Sequence, residues 1–582
     1  MVILSSGRKS RPLLLFAALL PLVAHSDAIE FLRLEEVEPG MRGVGRTVFF
    51  GTAVEEFNVE IIDVLRNFLP QRDVILVRLS GRIVDEAGMV EGMSGSPVYV
   101  NGALVGALAY KFGSFTKEPF GGVTPVEEMM RLFEESGKQG SIGSGAHGFV
   151  PIHTPLSISG LHPEIVDEAK EEFSPYGFIP MGSGGSQEGL SDPPSLEPGA
   201  MIGLSLIRGD AEMSMLGTLT LIDGNRIIGF GHGALVAGEV EMPLVSVHVH
   251  SVIPSSYLSY KLASSSQVIG TVTQDRVAGV GGVLGREPKL IPVLVTVNDG
   301  KKEDTYRYEL VQYRSYTPLL VNWVTRSSVI SSAKSTGDFT IKSTMKIELE
   351  EEREIHLHNT FAGGQAVENL GIWVYRPVDK LLNNEFEEPK IEKVELSIDV
   401  REQMEKARIA SVKLNKTVLK QSDTLHIEVN LMPLSGRSYV EKFAFSELKV
   451  AEGAVLEVLV SSSEAIAAHE TERWPEKFVP ASFDHLLTMI ENSGASDELV
   501  VQIVSPDEAV QVGGVDLPSL PASVRHLYRS RRILDRTAIT KGWPLFSIKR
   551  GVPHSICGFE RAEARMEGAP KELKETRGGE EK

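Results

Sequence analysis

The dipeptide Asn101-Gly102 lies between two apolar alternations, Pro97-Val-Tyr-Val before it and Ala103-Leu-Val-Gly-Ala-Leu-Ala-Tyr110 after it. Alternation sends successive side chains to opposite faces of a strand, and a two-residue Asn-Gly turn joins strands that run back on each other. Asp223-Gly224 repeats the arrangement between MLGTLTLI and NRIIGFGHG. A chain punctuated in this way is committed to antiparallel sheets closed by short turns. Further strand patterns follow in LIPVLVTVND, TYRYELVQY, FTIKSTMKIEL, IEKVELSIDV and TLHIEVNLMP, so the fold class is mainly β over most of the length. A chain of 582 residues is too long for one core, and the pattern divides it.

Residues 1–28 read as a secretory signal: Arg8, Lys9 and Arg11 precede PLLLFAALLPLVA, and the small residues of AHSDA follow, with cleavage fitting after Ser26 or Ala28. The apolar run of about 13 residues, interrupted by Pro21, is short against the roughly 20 that span a bilayer. The expectation is an exported protein, periplasmic or extracellular, with no stable membrane span after signal removal. Residues 29–137 are strands closed by the helical pattern TPVEEMMRLFEESGK, and 138–198 are a connecting segment with GSIGSGAHG, a helix around PEIVDEAKEEF and the linker GSGGSQEGLSDPPSLEPG. Residues 199–300 return to strands, 301–400 form a β-rich module, 401–520 a β-sandwich-like module, and 521–582 a charged C-terminal tail.

Composition narrows the function classes. A formal net charge of −19 with no long basic stripe argues against a nucleic-acid partner. Cys557 is the only cysteine, so an exported chain of this kind has no internal disulfide and no cysteine zinc site, and its domains hold together by packing. The pairs His248/His250 and His356/His358 each present two imidazoles on one strand face. No third ligand accompanies either pair, so they read as solvated strand faces, and no metal or cofactor is expected.

The stretch EGMSGSPVYVNG concentrates small residues ahead of the first hairpin. Acyl transfer by serine needs an exposed hydroxyl, a base, and backbone N–H donors aimed at the developing oxyanion. Gly92-Met93-Ser94-Gly95-Ser96-Pro97 can supply the first and last, with the Gly92 and Ser94 amides as the donor pair and Ser96 supporting the turn. The order of nucleophile loop, hairpin, Gly122-Val123 strand and closing helix resembles the C-terminal barrel of chymotrypsin-like peptidases. For the base, His232 stands out among fourteen histidines, at the end of a strand in Gly-Phe-Gly-His232-Gly. Taken alone it also reads as a turn histidine.

With GMSGSP and GTLTLIDGNRIIGFGHG both present, the chain resembles the SpoIVB-type serine peptidases, exported enzymes of the chymotrypsin-like clan. The serine motif matches Gly92 to Pro97 and implies Ser94 as nucleophile. The glycine-threonine strand matches Gly217 to Gly233 and implies His232 as base. The resemblance covers roughly residues 36–300 and implies a double β-barrel with protein or peptide as substrate. The barrel order is swapped, because Ser94 precedes His232. The family's acid falls here near Leu79 and Ser80, which leaves Asp85 as the nearest carboxylate and Asp210, Asp223 and Asp275 as rivals. By the same resemblance Gly88 forms the floor of the primary pocket and Ala107-Leu108-Ala109-Tyr110 its wall, with Lys111 at the entrance. This predicts cleavage after apolar residues. Two alternatives stand beside it: a catalytically inactive, peptidase-like scaffold binding proteins at the cell surface, and a metal-binding adhesin.

Overall fold

A computed structural model describes residues 30–70, 72–112, 116–134, 149–184, 196–333, 337–448, 450–473, 475–512, 515–517, 520–528 and 537–568. The signal segment and GSIGSGAHG lie outside them. Strands β1 (Arg42–Val48), β2 (Val54–Leu69), β3 (Arg72–Ser80), β4 (Pro97–Val100), β5 (Ala103–Phe112) and β6 (Phe120–Pro125) pair antiparallel in the order β1-β2-β3-β6-β5-β4. β4 returns to β1, so the sheet is a closed barrel with no free edge inside the ring. Helix α1 (Arg82–Ala87) leads from β3 to the serine loop, and α2 (Val126–Met130) continues β6. The Asn101-Gly102 turn joins β4 to β5 with both residues left-handed (φ 52 and 86), the backbone that lets a two-residue loop match strand twist.

β7 (Phe149–Pro151) adds to β5 of this barrel, whereas β8 (Thr154–Ser159), α3 (Pro163–Phe173) and β9 (Phe178–Gly182) belong to the next body. There β10 (Met201–Gly209), β11 (Glu212–Asp223), β12 (Arg226–Gly229), β13 (Gly238–Ile253), β14 (Tyr260–Arg276) and β15 (Gly279–Leu284) close a second antiparallel ring, β10-β13-β14-β15-β12-β11. The hairpin from β11 to β12 turns through Gly224-Asn225, one residue beyond the expected Asp223-Gly224, because Asp223 pairs with Arg226 and Gly224 takes the left-handed backbone (φ 63). β8 pairs with β11 outside the ring. The architecture is therefore two β-barrels, the serine-bearing one first.

β10 also pairs with β17 (Glu303–Val311), which carries the sheet out of the ring through β16 (Leu290–Asn298) to β20 (Ile391–Arg401), β18 (Thr340–Leu349) and β19 (Arg353–Ala362). The β-rich module at 301–400 thus has no core of its own: one apolar cluster runs from Ile202 and Leu244 of the second ring to Ile347 and Leu396. It also holds two helices that the strand pattern does not suggest, α4 (Thr317–Ser332) and α5 (Ala366–Leu382). Residues from 406 onward form two packed sheets around a separate core, including Leu425, Ile427, Val458 and Val501. This sandwich does not stop near 520. Thr537–Gly551, Ser555–Cys557 and Glu560–Met566 are strands of its two sheets, so much of the expected charged tail is structural. In Glu560–Met566 the charges face solvent while Ala564 and Met566 point into the core, which is why the segment reads as polar. Among the described residues no helix is long and apolar enough to cross a membrane.

Candidate active site

The serine loop is built by opposing peptide planes. Because a trans peptide points its C=O and the following N–H in opposite directions, fixing one aims the other. The Glu91 carbonyl accepts the Lys261 amide at 3.2 Å, and the Met93 carbonyl accepts the Ser96 amide at 3.0 Å and the Ser96 hydroxyl at 2.6 Å. That turns the Gly92 and Ser94 N–H groups the other way. Among the described residues neither donates to another backbone carbonyl. Gly92 (φ 93) and Gly95 (φ 95) supply the left-handed backbone the bend needs.

The second barrel holds this loop from behind. Thr218 donates its amide to the Ser94 carbonyl at 2.8 Å and its hydroxyl to the Gly92 carbonyl at 2.9 Å, and the Thr220 hydroxyl donates to the Gly95 carbonyl at 2.7 Å. A Cβ on Gly95 would overlap the Thr218 carbonyl and the Phe230 amide, so only glycine permits this approach. The Phe230 amide in turn donates to the Thr218 carbonyl at 3.0 Å, placing the start of the histidine loop against Gly95. The Gly231 carbonyl accepts the Thr124 hydroxyl at 2.6 Å, a second tie between the barrels.

The histidine loop is strained. Phe230 (φ 71) and Val236 (φ 54) both sit in the left-handed region, which for residues of this size costs on the order of 1–2 kcal/mol each. Packing repays it: the Phe230 ring fills the space a side chain on Gly217 would need, and the Asp275 carboxylate accepts the amides of Ala234 and Leu235 at 2.8 Å and of Ala237 at 3.2 Å. Burial pushes the Asp275 pKa up, while these amides pull against it. Asp275, one of the rival acids, is therefore spent on the loop backbone.

His232 is buried, and its Nδ1 lies 2.9 Å from the Gly233 carbonyl. A carbonyl only accepts, so Nδ1 carries the proton in the neutral ring and Nε2 presents its lone pair. Desolvation lowers the pKa, while the Gly233 and Ile152 carbonyls and the charge of Glu91 favour the imidazolium. Asp85 does not back this ring: it is exposed on α1 and accepts the Gly81 amide at 3.1 Å, capping its own helix. Asp223 pairs with Arg226, and Asp210 accepts the Arg307 amide.

Ser94 is fully buried, and neither its hydroxyl nor His232 Nε2 has a hydrogen-bond partner among the described residues, so the direct bond between them is not made. Glu91 Oε2 is a third buried atom without a partner. Buried polar atoms are nearly always paired, and three unpaired ones fall in the serine and histidine loops, as single ones do at Ser214 and Thr325 elsewhere. Glu91 itself pairs with Lys111 through Oε1, with His153 Nδ1 3.2 Å from the same oxygen. Lys261, wholly buried, reaches Thr47 Oγ1 at 2.6 Å and the Gly92 carbonyl at 3.2 Å, and desolvation pushes its pKa down to about 7.

Glu91, Thr218, Thr220 and Lys261 are absent from the sequence reading. Glu91 and the two threonines sit inside the stretches EGMSGSPVYVNG and GTLTLIDGNRIIGFGHG, whereas Lys261 carries no local signal. The histidine pairs lie elsewhere: His250 Nε2 meets Ser264 Oγ at 2.8 Å, and His356 Nε2 meets Glu354 at 3.1 Å.

Residues 23–130 match the family described as SpoIVB peptidase S55. No curated protein and no solved structure matches the chain.

Proposed function

Proceeding from a chain that carries a SpoIVB-type peptidase region over residues 23–130, we propose that it is an exported serine endopeptidase in which Ser94 and His232 form the reacting pair. Ser94 Oγ attacks the peptide carbonyl while His232 Nε2 takes its proton. The Gly92 and Ser94 amides receive the oxyanion, and His232 then returns the proton to the leaving amine. Water repeats the sequence on the acyl-enzyme. The Gly233 carbonyl takes over from a carboxylate in fixing the tautomer, which makes the pair a dyad. The basic, apolar and small-residue order of residues 1–28 supports export to the periplasm or exterior.

The observation that carries this reading is the pair of buried, unpartnered atoms, Ser94 Oγ and His232 Nε2, on loops that share hydrogen bonds through Thr218 and Phe230. A fluorophosphonate probe tests it, because only an activated serine reacts. Labelling that disappears in Ser94→Ala and falls by about 100-fold or more in His232→Ala is expected, in keeping with the loss of a base. The inactive-scaffold reading has one observation in its favour, the complete burial of Ser94. It is adopted if the serine labels neither in the native chain nor when Ile152, buried against the serine barrel, is changed to glycine.

A further inference from the structure

β7 adds to β5 with Phe149 opposite Phe112, Val150 opposite Lys111 and Pro151 opposite Tyr110. The pairing continues past the strand, since the Ile152 amide donates to the Ala109 carbonyl at 2.9 Å. In an antiparallel pair alternate residues exchange hydrogen bonds, so Pro151, which has no N–H, sits where none is needed. The chain then crosses the candidate site. Ile152 is buried in the same apolar cluster as Val84, Val90, Met93 and Leu108 of the serine barrel. Its carbonyl is near enough to the His232 ring to favour the imidazolium. His153 joins Lys111 and Glu91, with 2.9 Å between His153 Nδ1 and Lys111 Nζ, and Pro155 lies against the place a Gly92 side chain would take.

An extended segment added to a sheet edge, with alternate side chains entering pockets, is how peptides are received by strand addition, and here Ile152 enters the apolar cluster that holds Met93, the chain neighbour of Ser94. We infer that residues 149–153 occupy the cleft for substrate as a built-in peptide, with Ile152 filling the pocket for the residue on the acyl side of the cleaved bond. The inference rests on the reading of Ser94 and His232 as the reacting pair, and it accounts for the burial of both. The carbonyl of Ile152 is not held by the Gly92 and Ser94 amides, so the segment blocks the site without offering its own bond for attack. The ligand class follows: an extended peptide with an aliphatic residue at that position, which gains entry by exchanging with β7.

The test uses full-length chains carrying Ser94→Ala and Cys557→Ser, and a fluorescent peptide copying Phe149–Thr154. Ile152→Gly removes the apolar seat and is expected to bind this peptide at least 10-fold more tightly than its parent. Adding Lys111→Cys and Val150→Cys across the registered pair should abolish the gain under oxidation and restore it on reduction. The inference is overturned if Ile152→Gly and Ile152→Asp, both with intact barrel-amide protection, bind no more tightly than the parent. It is also overturned if the gain survives the cross-link. Counterparts that retain Ser94 are treated in parallel with the fluorophosphonate. Absence of labelling in Ile152→Gly removes the catalytic reading while the peptide result still decides the occupied cleft. Ser94-dependent labelling without any gain in peptide binding removes the occupied cleft alone.

Discussion

Replacing Lys261 with methionine should stabilise the two barrels, and by an amount that depends on pH. Lys261 is completely buried, and its neighbours within reach are the Thr47 hydroxyl, the Gly92 carbonyl and the Met201 sulfur, with no carboxylate. Burial lowers its pKa from 10.5 to about 7. Between those values the unfolded lysine is protonated and the folded one is not, so the unfolded state binds more protons and stability rises with pH. Below the folded value both states hold the proton, and the penalty is full and flat, roughly 5 kcal/mol at one pKa unit per 1.36 kcal/mol. From about pH 7 to about pH 9 it shrinks by about 2 kcal/mol. Methionine keeps the length of the side chain, and the Gly92 carbonyl keeps Thr218. The Thr47 hydroxyl loses a partner, at about 1 kcal/mol. The net gain in Lys261→Met is then about 4 kcal/mol near pH 6 and about 1 kcal/mol near pH 9. Whole-chain melting of several domains does not yield one free energy, so the readout is native-state hydrogen exchange of β13 and β14 amides, variant against parent at each pH. Parallel profiles across that range would refute the reasoning, because they would mean the lysine titrates alike in both states.

Gly95→Ala places a methyl against the Thr218 carbonyl and the Phe230 amide at φ 95, and is expected to cost about 3 kcal/mol or more and to loosen both loops, read as lost barrel protection and lost Ser94 labelling. Ser96→Ala removes the 2.6 Å bond to the Met93 carbonyl, and should cost about 1 kcal/mol of stability while slowing labelling about 10-fold, since the Ser94 amide loses its fixed direction. Burial holds His232 below its ordinary value, so it stays neutral and able to accept a proton under mildly acid conditions, and the acid limb of the labelling rate should fall below pH 6.5. Asp275→Asn, which frees Ala234 to Ala237, should slow labelling and move that limb up toward 6.5 as the ring gains water, whereas Asp85→Ala should change neither.

The parts of this fold legible in the sequence are those fixed by neighbours in the chain. Asn101-Gly102 dictates its hairpin by local backbone preference, and Gly224 fixes the second one residue beyond the expected register; the strands of both rings follow from alternation around them. The helix α4 is different. Val321, Val324 and Val329 alternate with Thr325, Ser327 and Ser328, all buried, so the stretch has no polar face and reads as apolar strand. α5 does carry a helical stripe, with Leu370, Val374, Val378 and Leu381 buried along one side, and a period count would have found it. Lys261 sits in a strand that looks half-exposed. Only the packing of β14 against the serine loop buries it, and no local pattern encodes that.

The swapped order of serine and histidine follows from where the ties are made. Each barrel closes on itself through contiguous strands, so neither needs the other to complete its ring. What joins them at the site is a short set of bonds from β11 and β14 to the serine bend, Thr218, Thr220 and Lys261 on one side and Glu91, Gly92, Ser94 and Gly95 on the other, with Phe230 packed against Gly95. Such bonds depend on which faces meet and not on which barrel is made first, since a reacting pair is defined by geometry. The acid is more sensitive. Its expected place near Leu79 and Ser80 lies at the end of β3, where Leu79 is buried in the first barrel and Ser80 pairs with Asn58. A carboxylate there would be a member of the serine barrel, reaching across to a histidine held by the other. Here the histidine loop instead carries its own support, with the Gly233 carbonyl on Nδ1 and Asp275 of β14 on the backbone that follows. In the proposed dyad the orienting group therefore lies in the barrel that carries His232, and the chain upstream of Ser94 need not supply it.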